Sequence, residues 1–587
     1  MWQQSQLGFL LFSSALSLIK GLSFEKYNPY TNLNIIELLE KHIREIILLV
    51  IYMGMFIPAL SYSYVQPTDP VWVQRGVQFY EAFRHGDFAQ TYTKYHPGVI
   101  LMWITGISYK IFYAFQKIHF GYIRDLFLHQ ADLYSMYSFI AKFFIVAVIM
   151  IVLLYCYSVV KRLINSTFAF WMTFFIITEP FVIGNIRSIH VDALAAFFMF
   201  ASVISFWALQ VGGFSSKKYL VLTGLFTGFA LLTKISSLVL FPFFSAGVLV
   251  GLHFLKKGVT LVNLFRATKF LLLISAISLL VFSALFPAMW VNPIGTVQRI
   301  VTDGFLDTAL NEESSRIVLS GDIASLTYKY LSYFVQIVFR TSPLVLVGSL
   351  LGLLIFIWCP FYSHKIIEAS NYGLKLFSSG IVPKGLSRMS LLLFYSLVFI
   401  LGYYLMISIS DKKIFRYILP LYPFLAIFAA YGVSLGVRPL RGLTPIFVPI
   451  FVILYQLFQP LSVYPNFFAY FNPLLGGIET ASKVISINQD ATGYYIVGEY
   501  LNQKPNAENI TVGCYDSGPM STYFRGHTVK LKLLDVSAEY AKDLDYILLP
   551  VQEGWQYLPK EDYALDKVFR INNFDYWYLF RRGYSTL

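Results

Sequence analysis

The chain has 587 residues, of which 57% are hydrophobic and only 13% are charged, and its mean hydropathy is +0.61. This excludes an ordinary soluble protein, because several apolar stretches of about 20 residues match the hydrocarbon thickness of a bilayer. The net charge of +13 does not indicate nucleic-acid binding, since the cations are dispersed in short loops rather than gathered on one helix or tail. The composition predicts an all-α polytopic membrane protein.

The first 43 residues are predicted to form a cytoplasmic or interfacial segment. Their short apolar core has neither a basic stretch ahead of it nor a small-residue cleavage site, so a cleaved signal peptide is only the alternative. Eleven apolar spans then define a transmembrane domain over residues 44–462. They lie near residues 44–62, 138–160, 167–184, 192–210, 219–234, 236–255, 270–290, 342–360, 390–410, 417–435 and 444–461.

The basic residues between the spans predict the orientation. A cytoplasmic N-terminus puts the basic loops from Lys41 and Arg44 to Arg438 and Arg441 on the cytoplasmic side, as the positive-inside rule requires, with Lys412, Lys413 and Arg416 as external sites against the trend. The apolar stretch from Gly98 to Phe115 is left out of the count, because a span there would invert all later loops. We predict that it lies in the membrane interface.

The same topology predicts three large external segments. Residues 63–137 form an external catalytic loop, and residues 291–341 form a second external loop. After residue 462 the composition changes, and runs such as NITVGCY, DYILLPV and DYWYLF have the pattern of short strands among polar stretches. We therefore predict an external, soluble α/β domain over residues 463–587, in a multi-pass protein of the cell membrane.

Charged residues gather at the predicted external ends of the spans. They are Asp69, His96, Arg187, Asp192, Lys234, Lys412, Lys413 and Arg416. Ionisable groups at membrane depth are costly and usually functional, and cations there suit a phosphate at headgroup depth. The three cysteines lie far apart without metal-site spacing. The pattern indicates a site for a lipid phosphate.

Five motifs, in this order, resemble glycosyltransferase family 39 of the C-type membrane glycosyltransferases. They are Asp69 in the first external loop, TKYHPGVILMW, NIRSIHVDALAAFF, GLFTGFALLTKISSL and DKKIFRYILPLYPFLAIFAAYG. The family contains the protein O-mannosyltransferases and the aminoarabinose transferase of lipid A. The resemblance covers about residues 44–460, and FAYFNPLLGG at 468–477 resembles a segment of bacterial members.

The resemblance implies inverting transfer of a sugar from a polyprenyl-phosphate donor to an acceptor on the external face. The acceptor is a lipid, a glycan or a protein, and the sugar is a hexose or a pentose. The other partners expected are membrane lipids, with no nucleic acid. A polyprenyl phosphate is a good leaving group, so the enzyme needs a base for the acceptor hydroxyl and cations for the developing phosphate charge.

Asp69 is the candidate base, and Asp192 is the second catalytic candidate, supporting acceptor or sugar binding. By resemblance Asp69 matches the first acid of the family's Asp-Glu pair, but Pro70 stands in place of the second. No cofactor is certain, and a divalent metal stays open as an alternative that the Asp69-Pro70 sequence does not support. The structural alternatives are an Asx turn at Asp69 and a favourable helix N-terminal acid at Asp192.

The remaining candidates are binding residues. Five cations are expected to bind the donor phosphate, namely Arg187, Lys234, Lys412, Lys413 and Arg416. Tyr95 and His96 are expected to bind substrate, since His96-Pro97-Gly98 resembles the His-Pro-Pro of the mannosyltransferases. A turn before a helix is the alternative for this motif, and snorkelling is the alternative for the lysines.

Two other function classes stay open. Another enzyme using lipid-linked sugars, such as an oligosaccharyltransferase or a ligase, is the first, although the Trp-Trp-Asp-Tyr-Gly signature of oligosaccharyltransferases is absent. A transporter is the second, although transporters commonly show two related halves and polar helices broken at mid-membrane. Here the predicted polar groups gather at one face.

Overall fold

The computed structural model describes residues 29–60, 69–123, 131–254, 261–310, 325–369, 388–410, 413–437, 444–485, 487, 492–514, 517–531, 544–551 and 562–583. These residues are mostly helical, and a small sheet follows the helices. This confirms the predicted fold class of a helical membrane protein with a small C-terminal α/β unit.

The helices before residue 292 are α1 Pro29–Phe56, α2 Asp69–Arg84, α3 Val99–Phe120, α4 Ala131–Leu163, α5 Ser166–Ile177, α6 Pro180–Ile186, α7 Val191–Val211, α8 Lys217–Thr233, α9 Leu240–Phe254, α10 Leu261–Leu285 and α11 Ala288–Val291. The later helices are α12 Pro293–Leu310, α13 Ser325–Arg340, α14 Pro343–Ala369, α15 Arg388–Ile409, α16 Tyr422–Val437, α17 Thr444–Ser462, α18 Gly477–Val484, α19 Tyr494–Asn502 and α20 Ser517–Tyr523.

Each of the eleven predicted spans overlaps a helix. Within the described residues, six helices are long and apolar enough to cross a membrane, or eight if each of two bent helix pairs counts as one span. One of the six is α3, which contains most of the stretch from Gly98 to Phe115. Its length and composition fit a membrane span, so the interfacial position of this stretch, like the count of eleven, stays a prediction.

Helix α7 forms the centre of the helical bundle. Every residue from Val191 to Gln210 is buried, because α4, α8, α9, α15 and α16 all pack around this helix. Its sequence is apolar on all sides, as expected for a helix that faces protein in every direction. The first turn of α7 is therefore a fixed position in the middle of the bundle.

A buried acid lies at one bend in the bundle. Helices α5 and α6 meet at 67°, and Pro180 begins α6 directly after Glu179. The Glu179 carboxylate accepts hydrogen bonds from the backbone N–H of Ser342 at 2.9 Å and from its hydroxyl at 2.6 Å. Glu179 thus satisfies the start of α14 and ties the bend to it.

Helices α2 and α3 pack closely where glycines face side chains of the partner helix. A Cβ at Gly76 would lie 1.8 Å from the hydroxyl oxygen of Thr105, and a Cβ at Gly106 would lie 2.6 Å from the Cβ of Tyr80. Helix α3 is also bound to α4, since the Tyr137 hydroxyl donates to the carbonyl of Thr105 at 3.0 Å. These contacts fix α2, which begins with Asp69.

The C-terminal sheet has five strands in the order β2-β1-β3-β5-β4, with bounds β1 Thr511–Cys514, β2 His527–Lys530, β3 Tyr546–Pro550, β4 Tyr563–Ile571 and β5 Phe574–Arg582. Strand β1 pairs in parallel with β2 and β3, and β5 pairs antiparallel with β3 and β4. Strand β3 is central and buried on both faces, which explains its uninterrupted apolar sequence YILLP.

The segment FAYFNPLLGG connects the sheet region to the bundle. The backbone N–H of Asn472 donates to the carbonyl of Phe339 at 2.7 Å, and its side-chain amide donates to the carbonyl of Thr341 at 2.9 Å. The buried guanidinium of Arg340 donates to the carbonyl of Phe468 at 3.3 Å and lies 4.8 Å from the ring of Phe471. The residues that resemble the bacterial family segment therefore hold the chain after α17 against the end of α13.

Candidate active site

Asp192 lies at the centre of a buried charge cluster. Its side chain is 4% exposed, and its two oxygens contact Lys234 Nζ at 2.5 Å and Arg416 Nε at 2.8 Å. His190 Nδ1 lies 2.9 Å from Oδ2 of the same carboxylate. We call Asp192, Lys234, Arg416 and His190 the Asp192 cluster. Two cations and one acid that we predicted separately are thus brought together.

Three different elements supply the cluster. Asp192 is in the first turn of α7, where His190 is the N-cap, and Lys234 is the C-cap of α8. Arg416 is in a 3-10 helix, Phe415–Leu421, just before α16. An acid in the first turn is favoured by the helix dipole. The ion pairs show that Asp192 also has a specific role in holding two cations together.

Neighbouring groups set the charge of the cluster. Burial, followed by the nearby Arg416, lowers the pKa of His190 to about 4, so its ring is neutral at pH 7. The Lys234 ammonium lies 3.9 Å from the centre of the Tyr417 ring, a favourable cation–π contact. With two cations, one carboxylate and a neutral His190, the cluster keeps one excess positive charge.

Asp69 is the first residue of α2, and its side chain is fully buried. Pro70 follows it at a position where proline fits the start of a helix. The carboxylate lies within electrostatic range of Tyr134 and Lys142, both on α4. Lys142 was missed in the sequence, although a single lysine inside an apolar span is a recognisable signal.

Trp72 connects Asp69 to the Asp192 cluster. It lies one turn after Asp69 on α2, on the same side of the helix, and its ring meets His190 edge-on at 5.9 Å between centroids. The Arg75 guanidinium lies 4.8 Å from the Trp72 ring centre. Trp72 therefore links the first turn of α2, which carries Asp69, to His190 of the Asp192 cluster.

Arg187 lies on the Asp69 side of this arrangement. It is within electrostatic range of Lys142, and its guanidinium donates to the carbonyl of Pro465 at 3.2 Å. Its guanidinium also lies 4.8 Å from the ring centre of Phe467. Because Arg187 and His190 belong to one short turn between α6 and α7, this turn joins the two groups of charges.

The motif His96-Pro97-Gly98, directly before α3, lies beside the cluster. His96 lies within electrostatic range of Lys234 and Asp192, and burial lowers its pKa well below the ordinary value. Its Nδ1 is buried without a hydrogen-bond partner among the described residues. Gly98 donates its N–H to the carbonyl of Thr233 at 3.2 Å, next to Lys234. The structure thus places His96 beside the Asp192 cluster, as neutral imidazole.

Gly98 can be only a glycine in this arrangement. Its φ is +59°, and a Cβ would lie 2.2 Å from the ring of Trp72. The ring of Tyr95 packs 4.1 Å from that of His96 and against Gly304 of α12, and its hydroxyl lies within electrostatic range of Arg75. Tyr95 therefore holds the loop to α12, and its predicted contact with substrate stays a prediction.

The remaining predicted cations differ in their surroundings. Lys413 is 1% exposed, and its ammonium donates to the carbonyls of Ser408 at 2.7 Å and Ile407 at 3.4 Å. These are end groups of α15, so Lys413 satisfies the C-terminus of that helix. Lys412 lies outside the described residues. Sequence position alone does not separate a helix-capping lysine from a phosphate-binding one.

Among the residues that the structure describes, no group of three or more His, Cys, Asp and Glu side chains is placed to hold a metal ion. What the site offers chemically is one carboxylate at Asp69 and a cluster with excess positive charge beside it. That combination suits proton removal next to an anionic leaving group.

No family model and no curated protein matches the sequence. Among solved structures, the chain is similar to ArnT from Cupriavidus metallidurans bound to undecaprenyl phosphate, with a TM-score of 0.43, 11% identity, and coverage of 92% of this chain and 98% of ArnT. It is also similar to the oligosaccharyltransferase AglB from Archaeoglobus fulgidus in complex with an inhibitory peptide and a dolichol-phosphate, with a TM-score of 0.43, 10% identity, and coverage of 88% and 70%. Both are membrane glycosyltransferases of the C-type fold, the class that the sequence motifs resemble. At these identities and TM-scores, no catalytic or binding residue is assigned in this chain from either structure.

Proposed function

We propose that the protein is an inverting glycosyltransferase that moves a sugar from a polyprenyl-phosphate donor to an acceptor hydroxyl at the external face of the membrane. The observation that carries the proposal is that Trp72, one turn after the buried carboxylate of Asp69, contacts His190 of the positively charged Asp192 cluster. Buried charges at the end of a central membrane helix are costly, and function is the usual reason to keep them.

The charge of the Asp192 cluster supports an anionic ligand. Lys234 and Arg416 carry two positive charges against the single negative charge of Asp192. A phosphodiester has one negative charge, so its arrival balances the cluster. Arg416 donates through a planar guanidinium that binds phosphate oxygens well, and Arg187 lies at the end of the same turn as His190. A polyprenyl chain on that phosphate is compatible with the apolar helices around it.

The proposed reaction balances as a single displacement. The acceptor oxygen attacks the anomeric carbon and forms the new glycosidic bond, while the bond from that carbon to the phosphate oxygen breaks. The electron pair leaves with the polyprenyl phosphate, whose charge Lys234 and Arg416 stabilise. The acceptor proton passes to the Asp69 carboxylate and then to water.

Asp69 suits the base better than Asp192. Proton transfer to Asp192 would break its contacts with Lys234 and Arg416 and leave two buried cations without a counter-charge. We therefore assign Asp192 to positioning these cations, and His96 to hydrogen bonding with the ligand as neutral imidazole. This refines the prediction that both acids are catalytic, since Asp192 then acts through the residues it holds.

A donor panel tests the proposal. The purified protein in lipid nanodiscs is incubated with undecaprenyl-phosphate- and dolichyl-phosphate-linked hexoses and pentoses and with an envelope extract as acceptor, and products are identified by mass spectrometry. We expect transfer from at least one monophosphate-linked sugar. Transfer only from diphosphate-linked sugars would support the oligosaccharyltransferase-like or ligase-like alternative. Movement of an intact donor across proteoliposome membranes without transfer would support a transporter.

A further inference from the structure

One face of helix α4 carries a line of polar side chains. Tyr134, Ser138 and Lys142 follow each other at intervals of four residues, so they share one side of the helix over about 12 Å. All three are buried, with exposures of 9%, 0% and 1%. The rest of this helix is largely apolar, so a polar line buried inside the protein requires an explanation.

Two of these side chains have unused hydrogen-bonding groups. The Tyr134 hydroxyl and the Ser138 hydroxyl are buried and have no hydrogen-bond partner among the described residues. Helical serines elsewhere in the chain avoid this by donating to the carbonyl four residues earlier, as Ser158 does on the same helix at 2.7 Å. A buried unsatisfied hydroxyl is costly. These two groups are therefore available to a ligand that enters between them.

The line of polar groups lies beside the proposed base. Tyr134 and Lys142, at its two ends, are both within electrostatic range of the Asp69 carboxylate. Tyr523, the last residue of α20, is within electrostatic range of Tyr134, and α20 packs against α4. A ligand on this face would thus touch the reacting region and be covered by the C-terminal sheet region.

We propose that Tyr134, Ser138 and Lys142 form a subsite for a polyhydroxylated ring, the sugar ring on which Asp69 acts. This inference rests on the proposed function. A hydroxyl group both donates and accepts, so Tyr134 and Ser138 pair with ring hydroxyls, and the Lys142 ammonium supplies up to three further donors. The ring belongs either to the transferred sugar of the donor or to a carbohydrate acceptor.

Hydroxyl-deleting variants test the subsite. Ser138→Ala and Tyr134→Phe keep the shape of each side chain and remove only the hydroxyl, and Ser158→Ala on the same helix is the matched control. With the donor identified in the panel, each of the first two should raise one KM by about 5- to 10-fold, the effect of losing one hydrogen bond to a ligand. An increase in the donor KM assigns the ring to the donor, and an increase in the acceptor KM assigns it to the acceptor.

Two further measurements separate binding from structure. Undecaprenyl phosphate, which has no sugar ring, should bind the variants and the wild-type protein equally. Without substrate, Ser138→Ala and Tyr134→Phe should unfold at the wild-type temperature or above, because the hydroxyls have no partner to lose. Unchanged KM values for both substrates, or a clear fall in the unfolding temperature, would overturn the subsite. Absence of transfer by the wild-type protein would instead overturn the proposed function.

Discussion

Replacing Asp192 with asparagine should destabilise the protein more than any other single change at the site. The substitution keeps the shape of the side chain but removes the charge that faces Lys234 and Arg416 at 2.5 and 2.8 Å. Two buried cations would then face each other without a counter-charge, and breaking one buried ion pair typically costs about 3 to 5 kcal/mol. The three residues come from separate elements, so the loss would also loosen the contacts of α7 with its neighbours.

Thermal unfolding in detergent, followed by intrinsic fluorescence, measures this effect. A cost of that size should lower the apparent unfolding temperature of Asp192→Asn by several degrees. Adding Lys234→Met returns the cluster to one excess positive charge, so the double variant should recover part of the loss. The matched control is Asp575→Asn, whose ion pair with Arg570 is on the surface. An unfolding temperature equal to that of the wild-type protein would refute the assigned role of Asp192.

Three further predictions concern the same site. Arg416→Ala should weaken undecaprenyl phosphate binding by about 10- to 100-fold, and Arg416→Lys should weaken it less, as measured by native mass spectrometry. If Arg416→Ala weakened the binding of uncharged undecaprenol equally, that result would contradict phosphate binding by Arg416. Gly98→Ala should abolish sugar transfer by displacing Trp72. The control Gly86→Ala should retain activity, because Gly86 also has a positive φ, +80°, but has open space around it. An active Gly98→Ala variant would contradict the close contact between Gly98 and Trp72. Because the pKa of His190 falls to about 4 in the folded protein, its contribution to stability is complete above about pH 6.5 and is lost as pH falls through about 4. The unfolding temperature should therefore fall over this pH range in the wild-type protein and fall less in His190→Gln. Equal pH dependence of the unfolding temperature in the two proteins would contradict the lowered pKa of His190.

Hydropathy predicted the helices well, because a stretch that must satisfy its backbone inside a membrane becomes helical whatever it packs against. The strand-like pattern of the C-terminal runs predicted the sheet region too, since TVGC and YILLP form β1 and β3. Hydropathy does not decide whether α3 crosses the membrane, because a partly apolar helix of 22 residues fits both positions.

The sequence did not predict which charged residues of the site contact each other. Asp192 and Arg416 are more than 200 residues apart, and only the packing of the 3-10 helix Phe415–Leu421 against α7 makes them partners. The same packing turns Lys413 toward the end of α15, although its neighbourhood in the sequence is as basic as that of Arg416. Lys142 was not predicted as a site residue because no family motif surrounds it, although a lysine inside an apolar span is itself a signal of function.

The most direct test of the account compares Asp69→Asn with the wild-type protein in one preparation, measuring sugar transfer and undecaprenyl phosphate binding side by side. Asparagine keeps the size of the side chain but cannot accept the acceptor proton, and losing a general base typically slows a reaction by about 10² to 10⁴. We predict that transfer falls by that factor while lipid phosphate binding changes by no more than about twofold, because the Asp192 cluster is intact. A folded Asp69→Asn variant that transfers sugar at the wild-type rate would contradict it.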